Sequence, residues 1–259
     1  MNGQVELSLV LPAYNEALRL PPYLTAIRQY LDGASHAGLL PADLVQRERM
    51  SYEVLVVDDG SSDRTAEMVD ASSRDWPQLR LIQHTANCGK GAAVRTGVLA
   101  SRGRRVLFAD ADGATPIDQE ARLRKALRDG ADLAIGSRLL PAEDITIARN
   151  PLRAWIGQVF ARVAAGMLRL TVRDTQCGFK MFRGDAARSL FAQVRDNGYL
   201  FDLELLVRAQ GRGLRIVEVP IDWHEVPGGH FRLVRAVPRI VCALWRLRRW
   251  QKSQHQAHD

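Results

Sequence analysis

Short apolar runs alternate with segments of helical length over the first half of the chain, and that alternation restricts the fold more than any other feature. LSLVLPA, YEVLVVDD, LRLIQH, RVLFAD and ADLAIGS start at residues 7, 52, 79, 105 and 131, are rich in Val, Ile and Leu, and end at turn signals. Residues 16–31, 63–74, 89–101 and 118–128, between them, carry a helical period. Strand, helix, strand at this spacing predicts right-handed crossovers and a single α/β, Rossmann-like, mostly parallel sheet flanked by helices. Polar residues gather where the strands end: Asn15 and Glu16, Asp58 and Asp59, Asp110 and Asp112, Ser137 and Arg138. In an open parallel sheet the carboxyl ends of strands are where ligands bind.

From about residue 151 the pattern changes. Residues 152–170 read as an amphipathic helix opened by Pro151, RDTQCGFKMF as a loop entering a short strand, FDLELLVRAQ as a helix closed by Gly211 and Gly213, and LRIVEVPIDW as a last strand. No repeat, low-complexity stretch or linker precedes 226, so one domain over 1–228 and a tail over 229–259 is the simplest partition. With 46% hydrophobic and 25% charged residues, the composition is that of a globular domain, not of a disordered or fibrous chain. No window of 18 residues is free of charge, and the start lacks a basic segment, so neither a conventional spanning helix nor a signal peptide is expected. Cys88, Cys177 and Cys242 are odd in number and show no C-x-x-C spacing, which argues against a disulfide framework or a zinc site and for reduced thiols in the cytoplasm.

The net charge is +7, and the tail accounts for it. Between Glu225 and Asp259 there is no acid, while Arg232, Arg235, Arg239, Arg246, Arg248, Arg249 and Lys252 contribute seven positive charges. On a helical projection Leu233, Val237, Ile240, Leu244 and Leu247 share one face and the arginines lie mostly opposite, with Trp245 and Trp250 alongside. Such a helix is expected to lie on an anionic membrane surface. Docking on the domain or on a partner is the alternative, and a nucleic-acid role is disfavoured because the basic residues are interleaved with apolar ones.

Three strand-end motifs carry chemistry. Asp110-Ala111-Asp112 follows the apolar run VLF, so two carboxylates face one ligand, and hard oxygen donors this close suit Mg²⁺ or Mn²⁺ bridging the phosphates of a nucleotide. In Asp58-Asp59-Gly60-Ser61-Ser62-Asp63-x-Thr65, Gly60 supplies a tight turn, Ser62 or Asp63 a cap, and the aspartates can accept hydrogen bonds from a base or ribose. Asn87-Cys88-Gly89-Lys90-Gly91 puts a lysine among glycines at a helix start, where backbone donors and the ammonium could meet a phosphate or carboxylate, although it is not a P-loop.

Together these segments resemble the inverting family 2 glycosyltransferases of GT-A fold: VLPAYNE at 10–16, VVDDGSSDRT at 56–65, NCGKGAAVRTG at 87–97, FADADGAT at 108–115, GSR at 136–138 and DTQCGFKMF at 174–182. FADADGAT and DTQCGFK look specifically like dolichyl-phosphate β-glucosyltransferases, and the resemblance to polyprenyl-phosphate mannose synthases is weaker. It implies that Pro12, Tyr14, Glu16 and Asp58 or Asp59 hold the nucleoside, that Asp110 and Asp112 meet the ribose, diphosphate and metal, and that Lys90 lies near the nucleotide. Mannose synthase relatives have a metal-binding Gln where this chain has Ala114, so water or Thr115 would have to take that place.

The implied reaction moves glucose from UDP-glucose to a polyprenyl phosphate, with inversion, on the cytoplasmic face of a membrane. A lipid monophosphate has a second pKa near ~6 and is already nucleophilic at neutral pH. The site must supply positive charge, and Arg138, Arg149 and Arg153 match arginines that cradle the lipid phosphate in the relatives. Asp112, Arg138 and Asp202 are the residues expected to carry the catalysis. Asp202, or Glu204, would serve as base if the acceptor were a hydroxyl, although Glu204 can equally pair with Arg208. Asp174 and Gln176 would orient acceptor or sugar, His224 could add a metal or phosphate contact, and VPGGH at 226–230 would form an acceptor loop. The alternatives are GDP-mannose as donor, a carbohydrate or protein hydroxyl as acceptor, and a nucleotide-sugar-binding scaffold without turnover.

Overall fold

The computed structural model describes residues 5–33, 50–142, 144–148, 163–226, 244–249 and 251. Its strands are β1 (Leu7–Ala13), β2 (Tyr52–Asp58), β3 (Leu79–Gln83), β4 (Arg105–Ala109), β5 (Leu133–Ser137), β6 (Ile147–Ala148), β7 (Phe179–Arg183), β8 (Ile216–Pro220) and β9 (Trp223–His224). Its helices include α1 (Leu20–Leu31), α2 (Thr65–Ser73), α3 (Lys90–Ala100), α4 (Glu120–Arg128), α5 (Gly184–Phe191) and α6 (Phe201–Gly211). Seven strands form one sheet in the order β3-β2-β1-β4-β7-β5-β8, and β6 pairs with β9 apart from it.

β1, β2, β4 and β5 are near-continuous runs of buried residues because helices cover both faces of the sheet. α1 buries Leu20, Tyr23, Leu24, Ile27 and Tyr30, the spacing of one helical stripe. It begins four residues later than the pattern predicts: Pro21 and Pro22 occupy its first turn, where a missing N–H is harmless, and Asn15 to Arg19 are left to form a loop.

Four of the six pairings in the main sheet are parallel. The exception is β7, which runs antiparallel between β4 and β5 with Phe179 opposite Ala109. Its first residues therefore start beside the last residue of β4, at the edge where β1 and β2 also end, with Ala13 opposite Asp58. Below this edge Phe108, Phe182, Phe191 and Phe201 pack with ring centroids 5.7–6.4 Å apart.

Glu53 on β2 is 2% exposed and ties the opposite edge together. Its carboxylate accepts hydrogen bonds from Ser8 Oγ and Arg102 N, both at 2.7 Å, and from the guanidinium groups of Arg102 and Arg80. Burial raises its pKa, but the bonds from Ser8 and Arg102 outweigh burial and bring it below the ordinary carboxylate value. Glu53→Ala is expected to cost about 3 kcal/mol, since it leaves buried donors unpaired. Urea unfolding measures this, and a loss below about 0.5 kcal/mol would contradict the role given to Glu53.

A second apolar cluster joins Ala164 and Leu168, within helical residues 163–168, to Leu200, Leu203 and Val207 and to Leu244 and Leu247 of the tail. Residues 244–249 are helical, and Leu244 and Leu247 pack against the domain. Arg248 donates to Met167 O, Gln251 Nε2 donates to Leu168 O at 2.8 Å, and Arg246 pairs with Asp196. Of the residues assigned to the apolar face, only Leu244 and Leu247 are described; Leu233, Val237 and Ile240 lie outside the described residues, as does most of 152–170. Trp245 is 60% exposed, with Arg249 over its ring.

Candidate active site

The loops after β1 and β2 are knitted to each other. Asn15 adopts φ 55°, a left-handed conformation that asparagine tolerates, and its side-chain oxygen accepts from the backbone N–H groups of Ser62 and Asp63. The N–H of Asn15 donates to Ser61 Oγ, that of Glu16 to Thr65 Oγ1 and that of Ala17 to Asp63. Asp63 also accepts from Thr65 N, although the N-cap of α2 is Arg64 and not Ser62 or Asp63 as expected. This lattice fixes Tyr14 and Glu16 on the rim of a cleft at the carboxyl ends of β1, β2 and β4. Glu16 lies 2.5 Å from Arg19. Burial nevertheless lifts its pKa to about 7, with the charges of Asp112 and Asp110 adding to the rise.

Asp58 and Asp59 are both buried. Asp59 is engaged by the next loop: Cys88 N and Gly89 N donate to it at 2.9 and 2.8 Å, and His84 Nδ1 lies 2.8 Å from it. Gly89 has φ 100°, and a Cβ there would sit 2.3 Å from Asn197 O. The amides of Gly91 and Ala92 donate to Gly198 O and Asn197 O. The amides of Cys88, Gly89, Gly91 and Ala92, expected to meet a phosphate or carboxylate, are thus engaged within the protein, and the Lys90 ammonium faces the cleft.

Lys90 Nζ is 2.5 Å from Asp110 Oδ1. Burial opposes its charge, but Asp110 and then Asp202 outweigh burial and hold its pKa above the ordinary lysine value. Asp112 accepts from Ala114 N at 3.1 Å and lies 3.7 Å from Arg19. Its pKa is raised, first by burial and then by the charge of Asp110. Two nearby hard-oxygen donors, one already held by an ammonium, fit a hard divalent cation. Gly178 makes this possible: its carbonyl accepts from Asp110 N at 3.0 Å, and a Cβ on it would fall 2.2 Å from Asp110 Oδ2.

The cleft, about 300 Å³, is lined by Pro12, Ala13, Tyr14, Glu16, Arg19, Asp59, Asn87, Gly89, Lys90, Ala93, Asp110, Ala111, Asp112 and Tyr199. It brings together the expected Pro12, Tyr14, Glu16, Asp59, Lys90, Asp110 and Asp112, and sets Asp58 behind them. Arg138 and Asp202 are not among its walls. Arg138 is bound on two sides by Asp174, with both guanidinium contacts at 2.8 Å, and stacks over Trp223. Asp202 is buried 2.6 Å from Lys180 Nζ, which also donates to Cys177 O. Glu204 pairs with Arg208 and accepts from the amides of Arg195 and Asp196, so its role is structural. Cys177 packs in the core. His224 is exposed and donates its backbone N–H to Ala114 O at 2.8 Å. Arg149, Arg153 and residues 227–230 of the acceptor loop lie outside the described residues.

Sequence reasoning missed Arg19, Tyr199 and Lys180. Arg19 sits in a segment read as helix, and only the displacement of that helix start by Pro21 and Pro22 turns its charge toward Glu16 and Asp112.

Among the described residues, no helix is long and apolar enough to cross a membrane. In the solved structures the fold recurs in glucosyl-3-phosphoglycerate synthase from Mycobacterium tuberculosis in complex with uridine-diphosphate, at TM-score 0.64 and 19% identity, over 94% of this chain and 80% of that one. It recurs also in a mannosyltransferase from Pyrobaculum calidifontis in complex with GDP-Man and Mn²⁺, at TM-score 0.58 and 19% identity, over 92% of this chain and 61% of that one. At these identities the likeness is one of fold.

Closer in sequence are the dolichyl-phosphate beta-glucosyltransferases of Trichomonas vaginalis, 38% identical over 86% of this chain and 65% of the relative, and of Drosophila melanogaster, 38% over 86% and 68%. The human enzyme of that name is 35% identical over 86% of this chain and 68% of its own length. This chain therefore spans about two thirds of the length of these relatives. Residues 8–191 match the pattern of glycosyl transferase family 2, and they contain every wall of the cleft except Tyr199. With that match, the GT-A sheet and relatives at this identity, the chain belongs to glycosyl transferase family 2, on the branch of the dolichyl-phosphate β-glucosyltransferases.

Proposed function

We propose that the protein transfers glucose from UDP-glucose to a polyprenyl phosphate of dolichyl type, with inversion, at the cytoplasmic face of a membrane to which it is peripherally attached. One observation carries the acceptor assignment. Each carboxylate that lines the cleft already has a cation or amide partner: Glu16 has Arg19, Asp59 the loop amides, Asp110 Lys90, and Asp112 the Ala114 amide and Arg19. None of these described groups stands ready to take a proton from a hydroxyl, with one exception. Glu16, with its pKa at about 7 and its Oε2 without a hydrogen-bond partner among the described residues, could do so, but in this reading it is engaged by the nucleoside. A phosphate acceptor needs no base, because its dianion attacks directly.

In this reading Pro12, Tyr14, Glu16 and Asp59 hold the nucleoside and Lys90 leaves Asp110 for the diphosphate. Asp110 and Asp112 would hold Mg²⁺ or Mn²⁺, and such an ion would supply positive charge beside the leaving diphosphate. A phosphate oxygen of the acceptor forms a bond to the anomeric carbon from the face opposite UDP. The bond from that carbon to the UDP oxygen breaks, and its electron pair leaves with UDP. An α-linked donor thus gives a β-linked product. Arg138, oriented by Asp174, serves the acceptor phosphate, as Arg149 and Arg153 do in this reading, while Asp202 anchors Lys180 and supports the charge on Lys90. Buried against Lys180, Asp202 is poorly placed as a base for a hydroxyl acceptor.

The paired change Arg149→Ala with Arg153→Ala tests the acceptor cradle. It is expected to raise KM for a short polyprenyl phosphate by roughly 10- to 100-fold and to leave UDP affinity within about twofold. Unchanged acceptor kinetics would remove both residues from the phosphate site. In the same assay, a nucleotide product of GDP instead of UDP would favour a mannosyl donor.

A further inference from the structure

Three side chains with metal-ligating atoms converge beside the cleft, and the transfer reaction uses only one of them. Asp59 follows β2, His84 follows β3 and Cys88 lies in the loop entering α3; one ligand atom from each lies within 4.8 Å of the others. His84 Nδ1 is 2.8 Å from Asp59 Oδ1, and its Nε2 is 3.0 Å from Thr96 Oγ1. A ring held through its second nitrogen is the usual arrangement of a ligating histidine. The Cys88 thiol is exposed and donates to Ala86 O at 3.3 Å, which keeps it on this side of the loop.

We propose that Asp59, His84 and Cys88 form a binding site for a thiophilic divalent cation, Zn²⁺ foremost, separate from the Asp110 and Asp112 pair. The ion takes the place of the proton between His84 Nδ1 and Asp59 Oδ1, and the neutral ring carries its one proton on Nε2, donated to Thr96 Oγ1. Cys88 gives its thiol proton to solvent and binds as thiolate, and water completes a tetrahedron. Bonds of about 2.0–2.3 Å set tetrahedral ligand atoms roughly 3.3–3.8 Å apart, so about 1 Å of movement by the exposed Cys88 side chain, with His84 Nδ1 and Asp59 Oδ1 parting by about 0.5 Å, closes the site. Nitrogen and sulfur ligands favour zinc, whereas the all-oxygen pair favours Mg²⁺ or Mn²⁺. Asp59 also holds the amides of Cys88 and Gly89. An ion there stiffens the loop that carries Lys90, and zinc inhibits transfer; this consequence alone rests on the proposed function.

The test titrates metal-free full-length protein with Co²⁺ in excess Mg²⁺, read by absorbance, and then displaces Co²⁺ with Zn²⁺. One equivalent of Co²⁺ is expected to bind with a thiolate-to-cobalt charge-transfer band that persists in Asp112→Asn. Cys88→Ser, a conservative change at an exposed position, should abolish the band and weaken Zn²⁺ binding at least about tenfold. His84→Ala should do the same. A spectrum without the band, a band that survives Cys88→Ser, or one lost in Asp112→Asn overturns the proposal. Zinc inhibition should vanish in Cys88→Ser while transfer with Mg²⁺ persists. The cobalt spectrum decides the site even for a protein that transfers no glucose, so the two readings fail separately.

Discussion

Asp112→Asn is expected to lower kcat for glucosyl transfer roughly a thousandfold, equivalent to about 4 kcal/mol of lost transition-state stabilisation. Asparagine keeps the shape of the side chain and can still accept from Ala114 N, so the loop after β4 retains its anchor. What disappears, on the proposed function, is one of the two anionic oxygen donors that would hold the metal beside the diphosphate. The folded protein should not suffer: burial and the charge of Asp110 both disfavour an ionised Asp112, so neutralising it relieves repulsion in the metal-free state. Its thermal midpoint should equal or exceed that of the parent. The variant also separates an enzyme from a nucleotide-binding scaffold, since a scaffold predicts an unchanged rate, and activity within tenfold of the parent would refute the assignment of Asp110 and Asp112.

Gly178→Ala should disable the same centre through a single methyl group. The Gly178 carbonyl is bonded to Asp110 N, so neither backbone segment is free to yield. A Cβ built on Gly178 lies 2.2 Å from Asp110 Oδ2 and 2.4 Å from its Cγ, and the carboxylate has to rotate out of its place. Lys90 then loses its 2.5 Å contact and the proposed metal pair loses its geometry. The expected result is a fall in kcat of roughly 100-fold with a higher Mn²⁺ requirement, because misplacement of a catalytic group by about 1 Å costs that much. Gly166→Ala is the control: no atom lies within 4 Å of a Cβ there, and activity should be kept. Parent activity at parent metal concentration in Gly178→Ala would show that Asp110 does not need its present seat.

Much of this was legible in the sequence because it follows from period and punctuation. The run LSLVLPA is β1 to the residue, and the strands after 52, 79 and 105 begin where their apolar runs begin. The strand-end carboxylates could be placed on one edge because parallel strands bring their carboxyl ends together. Tertiary partners were not legible. Asp174 claims Arg138, Lys180 claims Asp202, and the start of α3 gives its amides to Asn197 and Gly198, all across separations that carry no local signal. The tail shows the same limit. Its amphipathic period is real, but a period does not say whether the apolar face meets lipid or protein, and for Leu244 and Leu247 the partner is α6 with residues 163–168. Likewise, the spacing of Cys88 excludes a sequence-encoded zinc motif, while the fold brings it to Asp59 and His84 from another strand end.

The most direct test is incubation of the purified protein with UDP-glucose, Mg²⁺ or Mn²⁺ and a short polyprenyl phosphate, followed by mass and anomeric analysis of the lipid. Inverting transfer to phosphate predicts a hexosyl phosphate lipid with a β linkage, formed with release of UDP and only when metal and lipid phosphate are both present. An α-linked product, or turnover of UDP-glucose onto a hydroxyl acceptor with no lipid phosphate sugar formed, would contradict it.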